Sequence, residues 1–255
     1  TVCVLVQGLV TTTDTHAEPC AARELAAALA LKHNGYYEEA TATLQSLLAS
    51  SPYKRRQALA ALAECYEWLQ DWEAAAETWR RYSYVAYGTK EYATAIFRRA
   101  NALQEAGDAR RAAILYRWFL RLRPRSYARA EVSLRIAECY ASQEKWCNAA
   151  RFYRQALDEV SSGEQRLDII LNLADALALS GDNKATLTLF ESEVGAVPTS
   201  ALARYNYRWA MAEQAAGEEQ ASLERFRFVF HSYPRSPFAH ASLMAPEKAP
   251  LRSHG

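Results

Sequence analysis

Ten arginines stand between residues 98 and 135: Arg98, Arg99, Arg110, Arg111, Arg117, Arg121, Arg123, Arg125, Arg129 and Arg135. Only Glu105, Asp108 and Glu131 stand among them. A guanidinium is a planar, permanently charged fork that matches a carboxylate or a phosphate. The stretch therefore has the chemistry of anion recognition, with Arg110, Arg111, Arg117 and Arg121 as its candidate surface. Tyr116, Trp118 and Tyr127 lie within it, and basic residues beside aromatics also occur on nucleic-acid-binding faces. The whole chain carries a formal charge of only +1, so it has no general bias toward polyanions. The plainer reading is a solvated helix face that pairs with acids elsewhere or meets an acidic partner, and no nucleic-acid partner is expected.

Catalytic chemistry is absent from the motifs. There is no HExxH, no GxGxxG and no P-loop, and Gly88-Thr89-Lys90 lacks the upstream glycines of a phosphate cradle. The histidines are His16, His33, His231, His240 and His254. None has a Cys, Asp or Glu partner at metal-ligand spacing. The expectation is no enzyme, no catalytic residue, no metal site and no cofactor.

The elements that must position these side chains are set by six alanines. Ala28, Ala63, Ala100, Ala137, Ala174 and Ala210 follow one another at 35, 37, 37, 37 and 36 residues. Two positions after each comes a small residue: Ala30, Cys65, Ala102, Cys139, Ala176 and Ala212. A third column reads Ala40, Ala75, Ala112, Ala149, Thr186 and Ser222, and a fourth Leu44, Trp79, Tyr116, Tyr153, Phe190 and Phe226. Four columns sharing one period mean a repeat architecture. In residues 93–126, helical spacing runs through Ala95, Ile96, Ala100 and Leu103, breaks at Gly107-Asp108, and resumes through Ala112, Leu115, Tyr116 and Phe119 to Pro124. The unit is helix, tight turn, helix, stop. Small residues let the two helices approach closely, and the aromatic column fills the space toward the next unit. One such hairpin cannot bury its apolar face alone.

The pattern resembles the tetratricopeptide repeat, with Gly35-Tyr36-Tyr37-Glu38-Glu39-Ala40 close to that family's central signature and closing prolines at Pro52, Pro124, Pro198 and Pro234. The period is longer than the usual ~34 residues, and Tyr87 and Ser161 replace two of the prolines. The resemblance implies an all-α, right-handed α-solenoid of about six hairpins in one elongated array over 21–244. The hairpins are expected at 21–54, 56–89, 93–126, 130–163, 167–200 and 203–236, with a capping helix at 237–244. Residues 1–19 are expected as a flexible leader and 245–255 as a disordered tail.

In that family, first helices line a concave face that commonly holds a peptide or a partner's helix. The stripe flanking the column alanines, at i−3 and i+1, is assigned to this face by helix geometry. It gives Phe97, Leu134, Leu171 and Tyr207 on one rail and Glu64, Asn101, Glu138 and Asp175 on the other, with Glu67, Trp68 and Asp168 nearby. Seven acids, counting Glu105 and Glu131, face only Lys32 and Arg204 as clear bases. Such a groove favours a basic or neutral protein segment over an anion. The family's carboxylate-gripping residues are not carried over, since only Asn101 fits. The resulting expectation is a non-catalytic interaction scaffold of unknown oligomeric state. A small-molecule or anion-binding component, also as an oligomer, is the alternative.

Two further features bear on location. Arg123-Pro124-Arg125-Ser126, Val197-Pro198-Thr199-Ser200 and Tyr233-Pro234-Arg235-Ser236 share a Pro-x-Ser linker, in which serine is a natural N-cap. Such linkers resemble those of periplasmic and outer-membrane tetratricopeptide proteins of bacteria. The chain begins at Thr1 rather than Met, which suits a processed or cut chain whose residues 1–19 follow, or include the end of, an export signal. No apolar run reaches the ~20 residues of a spanning helix. A periplasmic or outer-membrane-associated location is expected, with the cytoplasm as the alternative. Cys65 and Cys139 sit in the small-residue column and are expected to be packing residues, while Cys3 and Cys20 lie outside the array and could pair where conditions are oxidising.

Overall fold

The structure, a computed structural model, describes residues 14–52, 54–124, 128–161 and 163–245, with side chains from Cys20 onward. Every regular element among them is helical: α1 (Asp14–His33), α2 (Tyr37–Ser50), α3 (Arg55–Trp68), α4 (Trp72–Val85), α5 (Glu91–Glu105), α6 (Ala109–Leu122), α7 (Arg129–Ala141), α8 (Trp146–Glu159), α9 (Glu164–Leu179), α10 (Asn183–Glu193), α11 (Leu202–Ala216), α12 (Glu219–Ser232) and α13 (Pro237–Met244). Two 3₁₀ turns, Val194–Ala196 and Thr199–Ala201, lie between α10 and α11. The first helix starts at Asp14, inside the 1–19 segment expected as a leader. Residues 1–13 and 246–255, on which the rest of the leader call and the tail call fall, lie outside the described residues, as do Arg125, Ser126 and Tyr127.

The chain divides into two compact units, Thr1–Leu122 and Arg123–Gly255. The columns report how each hairpin packs on its neighbours, and they are silent on how many hairpins share one compact unit. Within the first unit successive helices from α1 to α6 pack on one another, and within the second those from α7 to α13. All six column alanines are buried, as are all six residues of the third column and all six of the aromatic column. At four of the six hairpins both the first and the third column hold alanine, so nothing bulkier than a methyl group stands at those buried positions.

One turn recurs at every hairpin. Within three residues of the end of each first helix one residue lies in left-handed backbone space: Gly35, Gln70, Gly107, Glu144, Gly181 and Gly217, all with φ between 57° and 85°. The amide of the following residue then donates to the carbonyl five residues back: Tyr36 to Leu31, Asp71 to Tyr66, Asp108 to Leu103, Lys145 to Tyr140, Asp182 to Leu177 and Glu218 to Glu213. This is the Schellman closure, which satisfies carbonyls left over at a helix end. That donor also begins the second helix. The Asp71, Asp108 and Asp182 carboxylates accept from the amides of Ala74, Arg111 and Ala185 at 3.1, 2.8 and 3.0 Å. Tyr36, Lys145 and Glu218 provide no such side-chain cap.

Of the Pro-x-Ser linkers, Ser236 caps α13 as expected: its Oγ accepts from the Phe238 amide at 3.2 Å, with Pro237 opening the helix. Ser200 does not cap α11. It lies inside the 3₁₀ turn that precedes the helix.

Candidate partner-binding surface

In the first unit, α3 and α5 carry Glu64, Glu67, Trp68, Phe97 and Asn101. The acids are not alone. Lys32 of α1 pairs with Glu64, and Arg98 of α5 pairs with Glu67 at 2.7 Å while lying 3.9 Å from Glu64. The Trp79 indole N–H donates to Glu67 at 2.8 Å, and the Arg98 guanidinium lies 5.3 Å from the centre of the Trp79 ring. Burial pushes the Glu67 carboxyl above the usual carboxylate range, against the attraction of Arg98 and the indole hydrogen bond. Glu64 and Glu67 thus meet two bases in this unit, which offset the charge these two acids bring to the stripe.

Trp68 is 68% exposed, and its ring stacks on Tyr37 with centroids 5.5 Å apart and planes only 4° from parallel. Phe97 packs its ring 5.3 Å from Phe119 and 5.9 Å from Tyr116. It is as much a core residue as a surface one. Asn101 accepts a hydrogen bond from the Tyr116 hydroxyl at 2.7 Å, so its carbonyl is already committed within the unit.

In the second unit the same stripe holds Leu134, Glu138, Asp168, Leu171, Asp175 and Tyr207. Arg204 pairs with Asp168 at 3.1 Å, and Arg208 pairs with Asp175. Leu134 and Glu138 are half-buried. Tyr207 lies against Phe226 and Phe238, with centroids 5.8 and 5.5 Å away. Leu171 is buried and is removed from the candidate surface. Helix α9 packs directly on α11, as α1 does on α3, and Leu171 and Leu25 occupy the same column and are both buried.

The expectation that the acids face only Lys32 and Arg204 is therefore corrected. Arg98 and Arg208 complete a ladder in which a base of one repeat meets an acid of the neighbouring repeat. Both stand two positions before a column alanine, Ala100 and Ala210, and that shared register was the signal available in the sequence. Tyr37, the partner of Trp68, carried no separate signal.

The arginine stretch also sorts itself. Arg98 belongs to the ladder, Arg111 binds Asp108, Arg129 meets Glu159 at 3.1 Å and Arg135 meets Glu131 at 3.3 Å. Arg110 is exposed. Arg117 and Arg121 turn toward a pocket among α4, α5 and α6. No group of three or more metal-ligating side chains occurs among the described residues. Cys20, Cys65, Cys139 and Cys147 are free thiols, with Cys65 and Cys139 buried and Cys20 and Cys147 exposed. No described helix is long and apolar enough to cross a membrane.

No family model matches the chain, and no curated protein matches it. Solved structures do. The C-terminal part of a TPR repeat-containing protein from Cytophaga hutchinsonii superimposes with a TM-score of 0.64 at 14% identity, over 87% of this chain and 84% of that one. Nearly identical TPR-like repeats from Podosopora anserina give 0.54 at 17% identity, over 76% of this chain and 97% of that one. PilW, a type IV pilus biogenesis factor, gives 0.50 at 18% identity, over 88% of this chain and 98% of that one. With the six-fold turn and the buried alanine columns, these likenesses establish the fold: the chain is built of tetratricopeptide-type helix hairpins.

Proposed function

We propose that this chain is a non-catalytic scaffold that docks a protein segment along its first-helix stripe. The carrying observation is the Tyr37–Trp68 stack beside the Glu64–Arg98–Glu67 ladder. A tryptophan left largely in water on a rigid helix is the kind of anchor that dominates interface energy. The ladder refines the partner. Because its acids are matched by bases, it offers hydrogen-bonding groups without a net negative field, which favours a neutral segment, peptide or helix, over a strongly basic one.

The test is capture of partners from the native cell with the full chain, followed by affinity measurement with each partner so identified. Trp68→Ala is expected to weaken binding at least tenfold, mostly through faster dissociation, with folding unchanged, and Tyr37→Ala to weaken it as well with some loss of stability, because Tyr37 also packs on the core. Glu64→Lys is expected to change association rate and salt dependence. A partner that binds the Trp68→Ala and Tyr37→Ala proteins as tightly as the unaltered chain refutes the assignment.

The proposed setting is the bacterial cell envelope. It is supported by the Pro-x-Ser linkers and by the likeness to a pilus biogenesis factor. Fractionation that finds the native protein in the cytosol refutes this part alone.

A further inference from the structure

The first unit contains a pocket of about 480 Å³ among α4, α5 and α6. One side of it is cationic: Arg99 from α5, and Arg117 and Arg121 from α6. The rest is aromatic and aliphatic, with Tyr84, Tyr92 and Trp118 the largest side chains. No acidic side chain lines it. Tyr92, Ile96 and Arg99 share one stripe of α5 at i, i+4 and i+7, whereas Phe97 and Asn101 belong to the neighbouring stripe. The pocket is thus separate from the surface described above.

Arg99 is the unusual member. It is half-buried, and its Nε is buried without a hydrogen bond. Its guanidinium is held below its usual affinity for a proton, first by burial and then by the nearby Arg80. Glu77, the acid closest to it electrostatically, already holds Arg80 through two hydrogen bonds of 2.7 and 2.6 Å. A half-buried cation that meets no carboxylate among the described residues is stabilised by an anion brought to the pocket. Arg121 is exposed and meets no carboxylate among the described residues. Trp118 and Tyr84 are 41% and 68% exposed, so the apolar wall is open to an incoming group.

We infer that this pocket is a second docking site, for an acidic protein segment in which a carboxylate sits beside a large apolar side chain. The carboxylate meets the exposed Arg121 guanidinium and the part of Arg99 that lines the pocket, since a planar fork and a carboxylate form short charge-assisted bonds. The apolar side chain lies against Trp118 and Tyr84. A pocket of this volume takes one or two side chains. A polynucleotide calls instead for a continuous basic track along its backbone, and the paired Arg98 and Arg111 interrupt such a track here.

The test uses the full chain and a fluorescent, end-capped peptide that alternates glutamate with phenylalanine, followed by polarisation. A matched peptide with glutamine for glutamate and a single-stranded oligothymidylate are run beside it. The glutamate peptide is expected to bind, and Arg121→Gln and Arg99→Gln are each expected to weaken it about tenfold, the loss of one charge-assisted bond. Trp118→Ala is expected to weaken both peptides. Arg121 is a surface residue, so its variant keeps the assay informative even if Arg99→Gln lowers stability, and circular dichroism confirms its fold. Trp68→Ala is expected to leave this binding unchanged, which separates it from the first site. Equal binding of the glutamine peptide, indifference to Arg121→Gln, or displacement of the peptide by oligothymidylate overturns the inference.

Discussion

The turn of the fourth hairpin should be improvable by design, and the gain can be worked out from its geometry. Glu144 sits at φ 57° where four other hairpins have glycine. A side chain in left-handed space costs about 1–2 kcal/mol. Glycine removes that cost but gives up about 0.5–1 kcal/mol of chain entropy, so Glu144→Gly should gain about 0.5–1 kcal/mol. Lys145 opens α8 without a side-chain cap and places a cation at a helix N-terminus. Asp71 and Asp182 show the alternative at the same position. Lys145→Asp should gain about 1 kcal/mol from the cap, with a further few tenths from the helix dipole. The double variant should therefore gain about 2 kcal/mol. Urea denaturation followed by far-ultraviolet circular dichroism measures this. With a slope of about 2 kcal/mol per molar, the midpoint of the second unit should rise by about 1 M with the slope unchanged. The mirror changes in the first unit, Gly107→Ala and Asp108→Ala, should each lose about 1 kcal/mol. No atom lies within 4 Å of a methyl group added at Gly107, so any loss there is backbone strain alone. If Glu144→Gly leaves the midpoint unchanged or lowers it while Gly107→Ala is harmless, the left-handed column does not carry the strain assigned to it.

Three further outcomes follow from the packing. Ala100→Leu and Ala137→Leu should each cost about 1–3 kcal/mol by overfilling close crossings, read as lower denaturation midpoints, whereas Cys139→Ala should be far milder because alanine occupies that column in four other repeats. Burial pushes the Cys139 thiol up to about 12 and raises that of Cys65. A thiolate-directed reagent at pH 8 should therefore modify the exposed Cys20 and Cys147 in the native protein and reach Cys65 and Cys139 only on unfolding, as mass spectrometry of the labelled peptides would report. Arg225→Ala should cost about 3 kcal/mol in thermal or urea unfolding. It strands the buried Glu213, whose Oε1 accepts from Arg225 at 2.9 and 2.8 Å, and it removes the guanidinium stacked 3.4 Å from the Trp209 ring centre.

The repeat was legible because its causes are local and periodic. A buried alanine at a helix crossing and an aromatic at the seam leave columns that any run of hairpins must display, and the sequence alone determined the all-α hairpin fold from them. Four of the six turns were equally plain, since glycine is the residue that left-handed backbone favours. Gln70 and Glu144 hid the other two, because there the Schellman hydrogen bonds impose the conformation on side chains that do not prefer it. The candidate surface was readable only as a set of stripes. Whether a stripe residue is core or surface depends on its neighbours: Leu171 and Leu134 share a column, yet Leu171 is buried and Leu134 is only half-buried. The partners of the acids were set by stacking register, since Glu67 meets Arg98 and Asp175 meets Arg208 only after helices 31 and 33 residues apart are brought side by side. The same holds for the pocket. Arg99 and Arg121 read as part of one arginine-rich run, and three packed helices separate them from Arg98 and Arg111 by turning some guanidinium groups toward carboxylates and others toward an apolar wall. Periodicity fixes which residues can face a neighbour. Only packing decides which charge is answered there and which is left for a partner.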